Sequence, residues 1–361
     1  MHKYSLDCIF IPDSINCGRR PLKINVAIIG ASGYSGAELI RILSQHRCVT
    51  MRKVFANTSA GKRVDEVYPL FQKRIGLTFE QYSVDAVDGV DLVFVALPSG
   101  DAMNIVPSLL QKGKRVIDLG GDFRLKEVSL YEKYYKRNHV AKEYLAESVY
   151  GLPEVNRELI AKANLIANPG CYPTSALLSL IPVLKHRVIS PTHIIIDSLS
   201  GVSGAGRNAS LGLSFVEVNE SVRAYKVGLH QHTPEINSVL EEVTGGEVRL
   251  TFVPHLIPIS RGIYTTIYAE LRDETSEHDT LQVFESYYAD APFVRIMKSG
   301  IPEIKNVVNT NYCDIGVRVD LDNRCLIIMS VIDNLVKGAA GQAVQNMNIM
   351  FGFPEEEGLL S

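Results

Sequence analysis

The stretch INVAIIGASGYSGAELIRIL, residues 24–43, decides the fold class of this chain. It begins with a short β-branched apolar run, which is typical of a strand buried on both faces and which ends at Gly30. Its second half has apolar residues at helical spacing. Three glycines, Gly30, Gly33 and Gly36, occupy the turn between the two elements. A strand, a glycine turn and a helix in this order predict the first βα unit of a parallel sheet.

The same glycine turn predicts a nucleotide site. Gly30 permits a tight turn, Gly33 lets the backbone approach a pyrophosphate, and Gly36 allows the helix to pack closely on the strand. The spacing, GxxGxxG, departs from the usual GxGxxG pattern. The alternative interpretation is a tight turn that binds no ligand. The strand–turn–helix context favours nucleotide binding.

The segment after the second predicted strand indicates which nucleotide binds. It reads NTSAGKR, residues 57–63, and offers hydroxyls at Thr58 and Ser59 and positive charges at Lys62 and Arg63. No carboxylate precedes these groups, whereas domains that prefer NAD place an acidic residue there to bind the ribose hydroxyls. The segment therefore favours NADP(H), with a solvated basic loop as the alternative.

Strand-like and helical runs alternate up to about residue 167, and strand-like runs then follow one another with few helices. The fold class predicted is α/β: a Rossmann-like parallel-sheet nucleotide domain over residues 24–167, followed by an α+β mixed-sheet catalytic and dimerisation domain over residues 168–334. Residues 1–23 lack the pattern of a signal or transit peptide and are interpreted as an N-terminal extension.

Composition narrows the classes of partner. A length of 361 residues favours two domains, and a net charge of −3 argues against nucleic-acid and anionic-membrane partners. No apolar run reaches the length of a membrane span. The six cysteines include no CxxC pair. This pattern favours a reduced, cytoplasmic setting in which a thiol can stay free.

The most unusual cysteine lies in NPGCYPT, residues 168–174, directly before a long apolar helical stretch. A thiol at a helix N-terminus feels the positive end of the macrodipole and can meet unpaired backbone N–H groups, and both favour the thiolate. Pro169 and Gly170 bend the chain into the helix, and Pro173 suits its first turn. The pattern predicts a nucleophile at Cys171, with a structural cysteine as the alternative.

A nucleophilic cysteine requires a base, and GLHQHTPEI, residues 228–236, offers His230 and His232. Thr233 is a predicted helix N-cap and Pro234 a predicted first helical residue, which places both histidines on a loop. Alternate histidines can also bind a metal, but no further ligands with suitable spacing accompany them. We therefore predict no metal site.

Two arginines are candidate anion-binding residues. Arg207 ends the hydroxyl-rich loop SGVSGAGR, and Arg261 precedes another predicted strand. The guanidinium group pairs with carboxylate or phosphate through two parallel hydrogen bonds. A surface-loop role is the alternative for each. A nicotinamide domain combined with a thiolate indicates thioester chemistry, in which an activated acyl group becomes an aldehyde and an arginine receives the departing phosphate.

These residues resemble those of the N-acetyl-γ-glutamyl-phosphate reductases of arginine biosynthesis, and the resemblance extends from Lys23 to about Gly352. The motifs that carry it are GASGYSGAEL, ALPSG, DLGGDFR, YGLPE, NPGCYPT, SGVSGAGR, HQHTPEI and DNLVKGAAGQAVQN. The resemblance implies NADPH-dependent reduction of the acyl phosphate, with Cys171 as the nucleophile. It also implies a general acid/base histidine, for which we favour His230, with His232 close to the substrate.

The resemblance further implies residues that bind the ligands. Arg207 meets the substrate, and Asn168, Glu235 and Arg261 are further substrate-binding candidates. The last helix, residues 335–352, returns to complete the nucleotide domain. Gln231 stands where a basic residue is common in the family. The cofactor candidates are Gly30, Ser32, Gly33, Tyr34, Ser35, Gly36, Thr58, Ser59, Arg63, Pro98, Ser99 and Asn334.

Two other functions remain as alternatives at this point. The first is a sister reductase that acts on aspartyl phosphate or on an acyl group attached to a carrier protein. The second is a nucleotide-binding sensor without turnover, although a sensor would require neither Cys171 nor the histidine pair. An exposed sheet in the second domain favours a homodimer or homotetramer.

Overall fold

The computed structural model describes residues 23–360, so the predicted N-terminal extension lies almost entirely outside the described residues. The first half of the chain forms a six-stranded sheet in which every neighbouring pair of strands is parallel. Its order is β2-β1-β3-β4-β6-β5. The strands are β1 (Ile24–Ile29), β2 (Val49–Phe55), β3 (Leu92–Val95), β4 (Arg115–Asp118), β5 (Val149–Tyr150) and β6 (Leu165–Ala167).

Helices cover both faces of this sheet, because its central strands are apolar on both sides. All four residues of β3 are buried. On one face α1 packs through Leu39, Ile40 and Leu43, which belong to the same core cluster as Ile28. The helices of this half are α1 (Tyr34–Leu43), α2 (Val64–Val67), α3 (Val106–Gln111), α4 (Val128–Tyr135) and α5 (Pro153–Lys162).

The second half forms a seven-stranded mixed sheet of order β11-β12-β13-β10-β7-β9-β8. Its strands are β7 (Ile194–Ser200), β8 (Arg223–Ala224), β9 (Leu250–Leu256), β10 (Ile263–Glu270), β11 (Val294–Ile296), β12 (Cys313–Asp320) and β13 (Cys325–Ile332). Its helices are α6 (Cys171–Lys185), α7 (Phe215–Val218), α8 (His232–Thr244) and α9 (Glu277–Tyr287). The parallel sheet and the mixed sheet confirm the predicted fold class.

Helix α6 is the centre of the second half and is buried along most of its length. It packs between α8 and the sheet, and its buried Ser175 hydroxyl bonds to the hydroxyls of Thr265 and Ser330 on β10 and β13. This packing explains why the stretch after Cys171 is apolar on all sides, as expected of a helix without a solvent face.

The chain ends by returning to the first sheet. After β13, residues Val336–Ala340 form a π-helix that continues into α10 (Gly341–Phe351). Val344 and Met347 of α10 join the core cluster of β1 and α1. Among residues 23–360, no helix is long and apolar enough to cross a membrane.

Helix α8 begins two residues earlier than the sequence pattern indicates. His232, and not Pro234, is its first residue. The Nδ1 atom of His230 accepts the backbone N–H of His232 at 3.1 Å, so an imidazole satisfies one of the free donors of the first turn. The sequence rule looks for Ser, Thr, Asp or Asn in this role and therefore chooses Thr233.

Candidate active site

A cleft of about 810 Å³ opens between the two halves, and residues from both line it. It lies where the strand order reverses, because β1 has β2 on one side and β3 on the other. The loops that follow β1 and β3 therefore diverge and leave a crevice at the carboxyl ends of the strands. Open α/β sheets bind their ligands at this position.

The glycine turn forms one wall of the cleft. Gly30 has φ +82°, and a Cβ there would collide with the carbonyl oxygen of Ala96, so this position requires glycine. Ser32, Gly33, Tyr34 and Ser35 line the cleft where α1 begins. No side chain caps that helix N-terminus, so its first N–H groups can receive a pyrophosphate.

Gly36 lies behind the turn and does not line the cleft. A Cβ there would collide with the Gly30 carbonyl oxygen and lie 2.6 Å from the Cα of Ala31. The glycine thus serves the packing of helix on turn that the spacing predicts.

The predicted phosphate-binding segment is only partly in the cleft. Thr58 lines it together with Asn57, whereas Ser59 is buried and Arg63 lies outside. The Arg63 guanidinium is held by Asp65 at 2.8 Å. Asp65 follows the segment in sequence. The search for a carboxylate that distinguishes NAD from NADP(H) considered only the preceding residues and therefore missed it. Thr58 and Asn57 are the residues of this segment that line the cleft, and their side chains can donate hydrogen bonds to a phosphate.

Three other cofactor candidates lie together across the cleft. Pro98 and Ser99, after β3, and Asn334, after β13, all line it. Asn334 is fixed in place, since its Oδ1 accepts the Gly262 N–H at 2.8 Å and its Nδ2 donates to Ser203 Oγ at 2.9 Å.

Cys171 is the first residue of α6, with Gly170 as the N-cap, and it lines the cleft. A Cβ on Gly170 would lie 2.5 Å from Nε2 of His232 and 2.8 Å from Nη1 of Arg124. The glycine therefore lets an imidazole and a guanidinium approach the backbone next to the thiol. These close contacts explain why the residue before Cys171 is glycine.

The charge state of Cys171 differs from the expectation based on the helix alone. Burial raises the pKa of the thiol to about 11, which outweighs the opposing effects of the Tyr172 and Cys171 backbone N–H groups and of Arg124. The helix N-terminus thus moderates the cost of a thiolate without producing one. A base must remove the proton.

The two histidines have different surroundings. His232 lines the cleft, whereas His230 is 2% exposed and packs against the rings of Tyr172, Tyr225 and Phe252. Burial, followed by the neighbouring His232 and Lys226, lowers the pKa of His230 to about 2. Burial, Arg124 and Lys226 also hold the pKa of His232 well below its usual range. Both imidazoles are therefore neutral, and the cleft position belongs to His232 instead of the favoured His230.

Glu235 lies beneath the cleft and not within it. Its Oε1 accepts the Gly170 N–H at 2.8 Å and the Tyr150 hydroxyl at 2.9 Å, and its Oε2 pairs with Arg124 at 3.2 Å. Both members of the ion pair are buried. Glu235 is a helical turn beyond His232, so one carboxylate connects the N-termini of α6 and α8.

Two further substrate candidates are also outside the cleft. Asn168 is fully buried and donates to the Ala339 carbonyl oxygen at 3.1 Å. Arg261 pairs with Glu38 of α1 at 2.8 Å and with Asp333 at 3.5 Å, and so joins the two halves.

Arg207 does line the cleft, but at its nucleotide side. Its Nη1 donates to the Ser32 carbonyl oxygen at 2.7 Å and to the Tyr68 hydroxyl at 2.9 Å. The side chain therefore spans the cleft from the second half to the glycine turn.

Sequence reasoning did not single out Arg124 or Gly338 as cleft residues, whereas Gln231, which it noted as a departure from the family pattern, does line the cleft. Arg124 belongs to the quoted motif DLGGDFR, where a lone cation follows a buried strand and two glycines. The one positive charge of that motif was the available signal. Among residues 23–360, no group of three or more His, Cys, Asp and Glu side chains could hold a metal ion.

Comparison with known proteins gives two family matches and many close relatives. Residues 25–163 match the model described as "Semialdehyde dehydrogenase, NAD binding domain", and residues 171–334 match "Semialdehyde dehydrogenase, dimerisation domain". The N-acetyl-gamma-glutamyl-phosphate reductase of Pelotomaculum thermopropionicum is 51% identical over 94% of this chain and 98% of its own length. That of Desulfotalea psychrophila is 50% identical over 93% and 98%.

Solved structures share the fold at low identity. The aspartate semialdehyde dehydrogenase II of Vibrio cholerae has a TM-score of 0.69 at 20% identity, covering 91% of this chain and 99% of its own. The aspartate semialdehyde dehydrogenase with NADP from Candida albicans has a TM-score of 0.69 at 16% identity, covering 91% and 98%.

Proposed function

The chain belongs to the N-acetyl-gamma-glutamyl-phosphate reductase family, and on that premise we propose that it reduces N-acetyl-γ-glutamyl phosphate to N-acetylglutamate semialdehyde with NADPH. The observation that carries this proposal is the position of Cys171. The thiol stands at a helix N-terminus in the same cleft as a glycine turn that can bind a dinucleotide, with a neutral histidine beside it. The relatives named above support the substrate.

We propose that His232 is the base. Its Nε2 lies against Gly170, next to the nucleophile, while its Nδ1 is buried without a partner among the described residues. Nε2 is thus the ring nitrogen that can exchange a proton. Because the low pKa keeps the His232 ring neutral, it can accept the Cys171 proton. Burial disfavours both the thiolate and the imidazolium, so we propose that this proton transfer occurs when the substrate binds.

The thiolate attacks the acyl carbon, the C–O bond to phosphate breaks, and a thioester to Cys171 remains. When bound, NADPH would supply the hydride that reduces this thioester to the anion of a thiohemiacetal. Collapse of the thiohemiacetal breaks the C–S bond and returns the thiolate with release of the aldehyde. His232 holds the proton taken from Cys171 and restores it to the sulfur when the cycle ends.

The cleft residues fit this cofactor. The uncapped N-terminus of α1 offers backbone N–H groups for the pyrophosphate, and Ser32, Gly33, Tyr34 and Ser35 surround it. We propose Thr58 as a group near the ribose phosphate and Pro98, Ser99 and Asn334 as the groups that bound the nicotinamide side. Arg207 and Gln231 are among the polar second-half residues that line the cleft and are available to the substrate.

The test is phosphate-dependent reduction of NADP⁺ with N-acetylglutamate semialdehyde, which runs the reaction in reverse and avoids an unstable acyl phosphate. NAD⁺ and aspartate semialdehyde are tested in parallel. Turnover with the acetylated substrate and NADP⁺ is expected. Turnover only with aspartate semialdehyde would overturn the substrate, and cofactor binding without any turnover would favour the sensor.

We also propose a homo-oligomer that associates through the second half, and a cytoplasmic location. Leu211, Phe215, Val216 and Leu229 are between 73% and 84% exposed in the segment that leads to the histidine pair. Apolar clusters of this kind are typical of protein interfaces. Residues 171–334 match a model described as a dimerisation domain, which supports a second copy as the partner.

The proposed cytoplasmic location is supported by the cysteines. The four described cysteines are unpaired, as is typical of proteins in a reducing compartment.

A further inference from the structure

The π-helix that follows β13 faces the nucleophile. A Cβ on Gly338 would lie 2.7 Å from the Cβ of Cys171 and 3.2 Å from its Cα. Both are closer than atoms of this kind normally approach, and one is backbone. Any side chain at position 338 would therefore have to displace the first residue of α6.

The turn cannot retreat from this contact, because it is held on several sides. The Gly338 N–H donates to the Asp333 carbonyl oxygen at 2.9 Å, and Asp333 Oδ1 accepts the Leu335 N–H at 2.7 Å. Asn168 donates to the Ala339 carbonyl oxygen at 3.1 Å. Lys337 is fully buried and pairs with Glu154 at 2.6 Å.

The π geometry decides which residue meets the thiol. The bonds from Gly338 to Asp333 and from Ala340 to Leu335 both span five residues. In an α-helix these bonds would span four, and a shift of one residue turns a helix by about 100°. The wider turn therefore places the glycine, and not Lys337 or Ala339, against Cys171. Single π turns are frequent at functional sites.

We propose that Gly338 is a positioning residue, and that the π-helix Val336–Ala340 fixes how far the Cys171 sulfur projects into the cleft. This inference rests on the proposed role of Cys171 as the nucleophile. A methyl group at position 338 would displace the first turn of α6, and with it the sulfur, relative to His232 and to Arg124, whose charge lowers the thiol pKa.

The test compares Gly338→Ala with Gly316→Ala. Gly316 lies in β12 and is also crowded, since its Cβ would lie 2.9 Å from the Cδ of Pro302, but its neighbours Pro302 and Met297 belong to neither α6 nor the π-helix. The readout is the rate of Cys171 alkylation by iodoacetamide between pH 6 and pH 10, located by mass spectrometry and corrected with Cys171→Ser.

We expect Gly338→Ala to shift the whole pH profile of alkylation to rates at least tenfold lower, with kcat reduced by a similar factor. Gly316→Ala should share any loss of thermal stability while its alkylation rates stay within twofold of the parent. Unchanged rates in Gly338→Ala, or an equal reduction in Gly316→Ala, would overturn the proposal.

If Gly338→Ala yields too little folded protein, Asn168→Ala adds no atom and removes the bond that holds Ala339. It should lower kcat several-fold with KM within twofold, and no change in kcat would overturn the proposal. Alkylation needs no substrate. A parent protein without reductase activity that still shows the Gly338→Ala shift would refute the proposed function and leave the positioning role standing.

Discussion

At the scale of single residues, the thiol of Cys171 experiences two opposing influences on its pKa. Burial raises the pKa to about 11, while backbone N–H groups and Arg124 lower it. The neighbouring His232 is uncharged for the same reason of burial. The proposed nucleophile is therefore a neutral thiol beside a neutral imidazole, the proposed base.

The position of Cys171 at the start of a helix was predictable from sequence because its signals are local. Pro169, Gly170 and Pro173 surround Cys171 within six residues. The role of Glu235 was not predictable, because its partners Arg124 and Gly170 are 111 and 65 residues away in the chain. Nor could sequence decide between His230 and His232, since burial alone distinguishes them.

The first prediction separates the histidines. His232→Asn should lower kcat by about 10²- to 10⁴-fold, the usual contribution of a general base, while NADPH binding stays within about threefold. His230→Asn should retain turnover within about tenfold per folded molecule and lose thermal stability instead, because its ring fills an aromatic cluster. Steady-state kinetics with cofactor titration measure both. The reverse order of kcat would return the acid/base role to His230.

At the scale of elements, the N-termini of α6 and α8 meet beside the cleft and are joined by Glu235. Periodicity predicted both helices and most strands, because those patterns depend on neighbours in the chain. The start of α8 and the π turn before α10 depend on tertiary contacts instead. An imidazole caps α8, and a buried Asp333 holds the turn.

The buried histidine pair predicts how stability depends on pH. In the folded protein both pKa values lie far below the ordinary value of 6.5, so below that pH the unfolded chain binds protons that the folded protein does not. The free energy of unfolding should therefore decrease as the pH falls below about 6.5, by roughly 1.4 kcal/mol per pH unit for each histidine.

Urea unfolding between pH 5 and pH 7.5 measures this dependence, and His230→Asn is the comparison. The variant should lose the contribution of one histidine, so its stability should fall less steeply with acid than that of the parent. Parallel pH profiles for the two proteins would show that His230 binds a proton at the same pH in the folded and unfolded states, which would contradict its lowered pKa.

At the scale of the whole molecule, the cleft exists because two differently built sheets meet at it. The order of strand-like and helical runs predicted a parallel sheet followed by a mixed one, since strands that alternate with helices favour parallel pairing and successive strands without helices do not. The contacts that fix one half against the other were not predictable. Arg261 with Glu38, and Arg207 with Ser32, join residues more than 170 positions apart.

The exposed apolar segment predicts self-association. The double variant Phe215→Ser, Val216→Ser should shift the mass measured by light scattering at micromolar concentration toward the monomer, because both side chains are about 80% exposed and apolar. Leu321→Ser is the matched control, as Leu321 is 60% exposed at the turn between β12 and β13. An unchanged mass in the double variant would place the interface elsewhere.

The most direct test of the central claim is a burst measurement with no phosphate present. Enzyme mixed with N-acetylglutamate semialdehyde and NADP⁺ should form one NADPH per active site, and intact-mass and peptide analysis should find one acyl group on Cys171. Cys171→Ser should show neither signal while still binding NADP⁺. A burst of equal size in Cys171→Ser, or an acyl group on any other residue, would contradict the assignment of Cys171 as the nucleophile.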